Sequence, residues 1–181
     1  MKTKMKKIIS CLAILAIAAS VLVGCSDRDP SIPDGMKLAS DPELATYTFY
    51  VPESWSIDTQ NVSTRAYCTG TDRSFVMVMA GELQYTDSTV DGWWESGLSE
   101  LKALYRDFTL SVDGEDTKLD GADAKKYVYS GVFDETEFKY TQVAAVKGGS
   151  IYIITYGATA DKWESHLDEV DRMILNFRFG K

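Results

Sequence analysis

His166 is the single histidine in a chain of 181 residues with three cysteines. A general base needs a nucleophile and an orienting group within reach. Nothing close to His166 along the chain supplies both. Its spacing puts it at the edge of an apolar helical stripe, where a histidine packs on a helix flank or meets solvent. The sequence contains no Gly-x-Ser-x-Gly, no His-Glu-x-x-His, no P-loop and no glycine-rich dinucleotide turn. One histidine and one free cysteine do not make a zinc site of the usual type. No catalytic residue, cofactor or metal is therefore expected.

The carboxylates and aromatics are the next candidates. Asp113-Gly114-Glu115-Asp116, with Asp120 and Asp123 beyond, is the densest acidic stretch. Calcium takes six to eight oxygens from a defined loop, and this spacing fits no EF-hand. It reads as a solvated hairpin edge, and Asp134-Glu135-Thr136-Glu137 reads as a charged turn. Trp93 and Trp94 are adjacent, so on a helix their side chains point about 100° apart. Trp94 starts the core-facing stripe. Trp93 either packs against a neighbouring loop or is an exposed aromatic, a residue type enriched at interface centres. Tyr127, Tyr129, Tyr140, Tyr152 and Tyr156 are candidates to line a pocket between sheet and helix, and equally good strand residues.

The N-terminus carries a different chemistry. Lys2, Lys4, Lys6 and Lys7 precede an almost wholly apolar run over residues 8–23. That run is too short for the roughly 20 apolar residues of a spanning helix and has the order of a secretory signal. It ends in Leu22-Val23-Gly24-Cys25, which resembles a bacterial lipobox. The resemblance implies that the small Gly24 admits the peptidase and that the Cys25 thiol takes a diacylglycerol thioether. Residues 1–24 are then a signal peptide, 25–42 a polar, proline-bearing tether, and 43–181 the globular domain. Each buried CH₂ contributes about 0.8 kcal/mol, so two or three acyl chains hold firmly. The expected location is the extracytoplasmic face of a bacterial cell membrane.

Cleavage takes Cys11 away and lipidation uses Cys25. Cys68 is left alone and reads as a small buried hydrophobe. Losing the four lysines takes the formal net charge from -8 to -12. With a sequence pI near 4.7, nucleic acid is excluded as the main partner, because phosphate binding needs clustered Lys and Arg.

The elements that would position these residues follow from period and turn chemistry. Residues 44–51, 55–60, 64–69 and 75–83 have strand composition. Ser88-Thr89-Val90-Asp91 has the form of a capping box. Trp94, Leu98, Leu101, Tyr105 and Phe108 then recur at helical spacing. Residues 109–112, 124–133, 138–147 and 151–156 are strand candidates separated by Asp113-Gly114, Asp120-Gly121 and Gly148-Gly149, dipeptides of the hairpin type. A second helix runs from near Asp161 to about Asn176, with Trp163, Leu167, Val170, Ile174 and Phe177 on one side. Residues 177–179 form a last short strand. The class is α+β: a twisted antiparallel sheet flanked by helices on both faces, an α/β/α sandwich.

Three stretches together resemble a known family. Tyr47-Thr48-Phe49-Tyr50-Val51-Pro52-Glu53-Ser54-Trp55 resembles the opening of PsbP-like domains. Leu119-Asp120-Gly121-Ala122-Asp123-Ala124, followed by Tyr127, resembles their midway element. The strand at 151–156, then Trp163 and the closing stretch 174–179, resembles their end. The same core occurs in bacterial lipoproteins of the DcrB type. The resemblance covers about residues 44–181 and implies a sheet flanked by helices with a non-enzymatic, accessory role. Photosynthetic members attach to photosystem II and influence its calcium and chloride retention. Histidines implicated in metal binding in some members do not carry over to a chain with one histidine. The expectation is a lipid-anchored, non-catalytic binding module for a cell-envelope complex, with Trp93 as the candidate contact. The alternative is a small-ligand or ion binder using a pocket between sheet and helix.

Replacing Cys25 by Ala should move the protein out of the membrane fraction of its native cells. Retention of the Cys25→Ala chain in that fraction would rule out anchoring through Cys25.

Overall fold

The computed structural model describes residues 29–58, 63–83 and 89–180. The signal segment 1–24, Cys25 with its lipobox, the first part of the tether and Ser88 lie outside the described residues. In chain order the first strands are β1 (Met36–Leu38), β2 (Tyr47–Thr48), β3 (Tyr50–Pro52), β4 (Ser56–Asp58), β5 (Thr64–Tyr67) and β6 (Phe75–Glu82). Helix α1 (Val90–Leu104) follows. Then come β7 (Arg106–Leu119), β8 (Ala122–Phe133), β9 (Thr136–Lys147) and β10 (Ser150–Thr159). A 3-10 turn (Trp163–His166), helix α2 (Leu167–Leu175) and β11 (Arg178–Phe179) complete the chain.

The strands from β7 to β10 form a meander closed by two-residue turns. Asp120-Gly121 (φ 44° and 78°), Asp134-Glu135 (47° and 61°) and Gly148-Gly149 (59° and 82°) all hold both central residues in the left-handed region. Turns of that hand match the twist of the flanking strands. Asp134-Glu135 does this without glycine. β6 then pairs with the free side of β10, giving the order β4-β5-β6-β10-β9-β8-β7, antiparallel throughout.

β10 lies at the centre of this seven-stranded sheet, and residues 151–158 are all buried. Its side chains alternate between two cores. Tyr152, Ile154, Tyr156 and Ala158 enter one, with Val76, Val78, Val143 and Ala145 from neighbouring strands. That core is closed by Val170, Met173 and Phe177 from the C-terminal segment and by Phe49, Val51 and Trp55 from the N-terminal one. Ile151 and Ile153 enter the other core with Tyr127, Tyr129, Tyr140 and Ala144, under Val90 and Trp94 of α1. Fully burying each large side chain contributes roughly 1.5–3 kcal/mol.

The fold is mainly β. The expected antiparallel sheet is present, and the two helices pack against opposite cores. They do not form full layers of a sandwich: α1 has 15 residues and α2 has 9. Short pairings do the rest of the covering, β1 with β3 and β2 with β11.

Several local expectations change. The first helix stops at Leu104, with Tyr105 as its C-cap, and Phe108 already belongs to β7. Its cap is Thr89, whose side chain accepts from the Gly92 amide at 3.1 Å. Asp113-Gly114 is no hairpin. It sits inside β7, where Val112 faces Val128 and Glu115 faces Lys126, so β7 carries one extra residue. Gly114 has φ 73°, the backbone a glycine-type bulge requires. Residues 44–51 split into β2 and β3, which pair with different partners, around a fully buried Phe49. The packed body also reaches back into the expected tether: Met36 in β1 is 2% exposed and belongs to the core.

Gly157 in β10 tests how closely the side chains of its paired neighbours, Phe75 on β6 and Tyr140 on β9, meet over it. A Cβ there would lie 2.6 Å and 2.7 Å from Phe75 ring carbons and 2.7 Å from Tyr140. Gly157→Ala should cost about 1–3 kcal/mol through overpacking, read as a lowered urea midpoint. An unchanged midpoint would contradict the close approach.

Candidate functional site

The lone histidine and the free thiol, more than ninety positions apart, meet at one corner of the fold. The 3-10 turn ends at His166 and runs directly into α2. Trp163 anchors its start: Tyr156 Oη donates to the Trp163 carbonyl at 3.0 Å, and the Lys139 ammonium lies 3.8 Å from the Trp163 ring centroid. On the other side, the loop after β5 carries Cys68 and Asp72. The Cys68 amide donates to the Ser74 carbonyl at 3.0 Å, and the Ser74 amide donates to Asp72 Oδ1 at 2.8 Å. The loop is thus closed by its own backbone, and the Asp72 carboxylate is aimed at α2.

His166 bridges two carboxylates. Its Nε2 lies 2.9 Å from Asp72 Oδ2 and its Nδ1 lies 2.8 Å from Glu169 Oε2. Both partners are acceptors, so the arrangement is fully satisfied when both ring nitrogens carry protons. The fully buried Trp55 completes the corner. Its indole stands edge-on to the imidazole at 5.5 Å between centroids, and its Nε1 donates to Glu169 Oε2 at 3.1 Å.

The electrostatics follow from these contacts. Partial burial works against charge on His166, but its hydrogen bonds to Asp72 and Glu169 outweigh burial and raise its pKa. Burial likewise opposes the Asp72 carboxylate. Hydrogen bonds from Ser74 and His166 outweigh it and hold the pKa at about 2. Burial pushes the Cys68 thiol up, and the Asp72 charge adds to that. A thiol pushed up in this way, beside an imidazole tied to two carboxylates, is not an activated nucleophile. The corner ties the β5–β6 loop to α2. It also gathers a thiol sulfur, a carboxylate oxygen and an imidazole nitrogen within 4.8 Å of one another.

Cys68 therefore differs from the expectation. It packs against the main core but is only half-buried, and it faces polar neighbours as well. The i, i+3 pair of His166 and Glu169 and the Asp72-x-Ser74 turn were visible signals of local order. Nothing in the sequence joined them.

The other candidates disperse. Tyr127, Tyr129 and Tyr140 lie in the core under α1, whereas Tyr152 and Tyr156 lie in the opposite core. The five tyrosines therefore do not line one pocket. The acidic stretch is spread along the β7 edge and partly paired, Asp116 with Lys125 at 2.9 Å and Asp123 with Lys118. Asp120 accepts from the Phe179 amide at 3.0 Å.

Trp94 is buried and stacked on Tyr127 with centroids 4.0 Å apart. Trp93 is half-buried, tilted against Trp94, and lines a cleft of about 640 Å³ with Gly97, Leu101, Leu104 and Gln142. α1 packs over β7, β8 and β9. On the same side of the sheet, toward β5 and β6, Tyr67 is 39% exposed, Met79 is 45% exposed and Leu104 at the helix end is 54% exposed.

No protein-family model matches the sequence, and no curated protein sequence matches it. Solved structures do match in fold. Cyanobacterial PsbP (CyanoP) from Synechocystis sp. PCC 6803 aligns with a TM-score of 0.58 at 14% identity, over 86% of this chain and 98% of that one. The Ran-binding protein Mog1p of Saccharomyces cerevisiae aligns with a TM-score of 0.55 at 9% identity, over 80% of this chain and 95% of that one. A Pseudomonas aeruginosa protein of unknown function aligns at 0.52 and 16%, over 76% and 92%. The chain has a PsbP-like fold.

The charged corner should carry measurable stability. Asp72→Ala removes the acceptor of both Ser74 and His166 and should cost about 1.5–3 kcal/mol, the scale of hydrogen bonds to charged groups. Chemical denaturation at neutral pH reads it, and an unshifted midpoint would show that the corner holds nothing.

Proposed function

We propose that this chain is a lipid-anchored extracytoplasmic lipoprotein, attached through Cys25, whose PsbP-like domain is a non-catalytic binding module for a protein of the cell envelope. The observation that carries the binding role is the partial cover of one sheet face. α1 shelters β7 to β9, while beside it Leu104, Met79 and Tyr67 are exposed and Trp93 is half-buried. Large apolar side chains left exposed on one face of a sheet are the material of interaction sites. Trp93 sits beside the cleft, where an aromatic anchor contributes most. Glu100 also lines the cleft, so the partner segment is apolar with a basic flank. Mog1p, with a similar fold, is a Ran-binding protein, which shows that this architecture can serve protein recognition. The signal segment and lipobox support the location, and the lack of a catalytic motif in the sequence supports a role without catalysis.

One observation favours a second reading, a small ligand in the cleft. Trp94 Nε1 and Gln142 Oε1 are buried without hydrogen-bond partners among the described residues, and both residues line the cleft. An unpaired buried donor and acceptor each cost about 1–3 kcal/mol, and a ligand offering both functions would satisfy them.

Cross-linking in intact cells, then pull-down on a C-terminal tag, separates the readings. The first expects a reproducible envelope protein whose yield falls at least about tenfold with Trp93→Ala, the effect of losing one anchor residue. Equal yields from both chains would remove Trp93 from the interface. A ligand in the cleft instead raises the melting temperature of the isolated protein by mass action.

A further inference from the structure

We propose that Cys68, Asp72 and His166 form a binding site for a divalent transition-metal ion of the zinc class. Three donor atoms, two from the β5–β6 loop and one from the turn before α2, lie within 4.8 Å of one another. A thiolate, an imidazole and a carboxylate are together a borderline set. They favour zinc-like ions over calcium or magnesium, which take oxygen ligands.

The distances are close to what such an ion needs. Zinc bonds to nitrogen and oxygen of about 2.0–2.1 Å at a tetrahedral angle span about 3.4 Å. His166 Nε2 and Asp72 Oδ2 are 2.9 Å apart, so they separate by about half an ångström to admit the ion. The ion replaces the proton between them, and Cys68 closes in as the third ligand after losing its thiol proton. The side chains of His166 and Asp72 are 15% and 18% exposed, so the site has access to solvent. A fourth position is left to water.

An independent feature supports the assignment. A metal-binding histidine usually donates its other ring nitrogen to a carboxylate, which fixes tautomer and orientation. His166 Nδ1 already meets Glu169 Oε2 at 2.8 Å, and Trp55 Nε1 holds that same oxygen at 3.1 Å. Nε2 is thereby left pointing at Asp72, with Cys68 alongside. The plain alternative is a salt-bridged corner with an incidental thiol, and it predicts no metal binding.

The test uses the full chain in detergent, with Cys11→Ala and Cys25→Ala leaving Cys68 as the only thiol. Co²⁺ is the probe, because its thiolate bond gives a charge-transfer band. The expected result is such a band saturating at one equivalent, reversed by Zn²⁺. Cys68→Ser should abolish the band and weaken zinc binding by about a hundredfold, and Glu169→Gln should weaken it by about tenfold or more. No band with excess Co²⁺, or a band that His166→Gln leaves unchanged in a folded protein, overturns the site. If circular dichroism shows that His166→Gln does not fold, the zinc isotherm of Cys68→Ser decides. Undiminished affinity there overturns the proposal equally.

Discussion

The structure depends on β10 being apolar on both sides. A strand that alternates polar and apolar residues needs cover on one face only. β10 presents Ile151 and Ile153 to one side and Tyr152, Ile154 and Tyr156 to the other, so the sheet must be covered twice. α2 is too short to cover a face alone. The chain therefore adds Met36, Phe49, Val51 and Trp55 from its N-terminal strands, and β11 returns to pair with β2. That requirement brings Trp55 against the start of α2. It also brings α2 against the β5–β6 loop, and the corner of Cys68, Asp72, His166 and Glu169 exists because those pieces converge there.

The other face has only α1 as its cover. Trp94 fills the space over Tyr127 and Tyr129, leaving the side toward β5 and β6 less sheltered. The candidate binding surface and the half-buried histidine corner are thus products of one requirement, met fully on one face and partly on the other. The resemblance to PsbP and Mog1p, at 14% and 9% identity, is a likeness of this architecture. Function lives in the sites placed on it.

Local chemistry was legible and long-range chemistry was not. Asp120-Gly121 and Gly148-Gly149 announced their turns because few residues accept a left-handed backbone. Asp113-Gly114 carries the same signal and serves a bulge, since a positive φ relieves either irregularity. Phe108 continued the helical period past Leu104 because a strand residue facing the same core can fall at that spacing by chance. β1 was hidden in a polar, proline-bearing stretch: three residues show no period, and Met36 gains its burial only from distant partners. Cys68 and His166 each stand alone in the sequence. Their meeting depends on β6 pairing with β10 and on the 3-10 turn that follows, which no window of sequence reveals.

The bulge at Asp113-Gly114 acts between molecules as well as within one. β7 is an outer strand of 14 residues, long enough to template another chain by backbone pairing. Its register with β8 breaks three times, and Arg106, Asp107, Glu115, Asp116 and Lys118 stud its length. An incoming strand would find no straight row of amides and carbonyls to match. The opposite rim, β4, offers three residues among those described. The breaks and charges of β7 therefore work against a second molecule pairing along that rim.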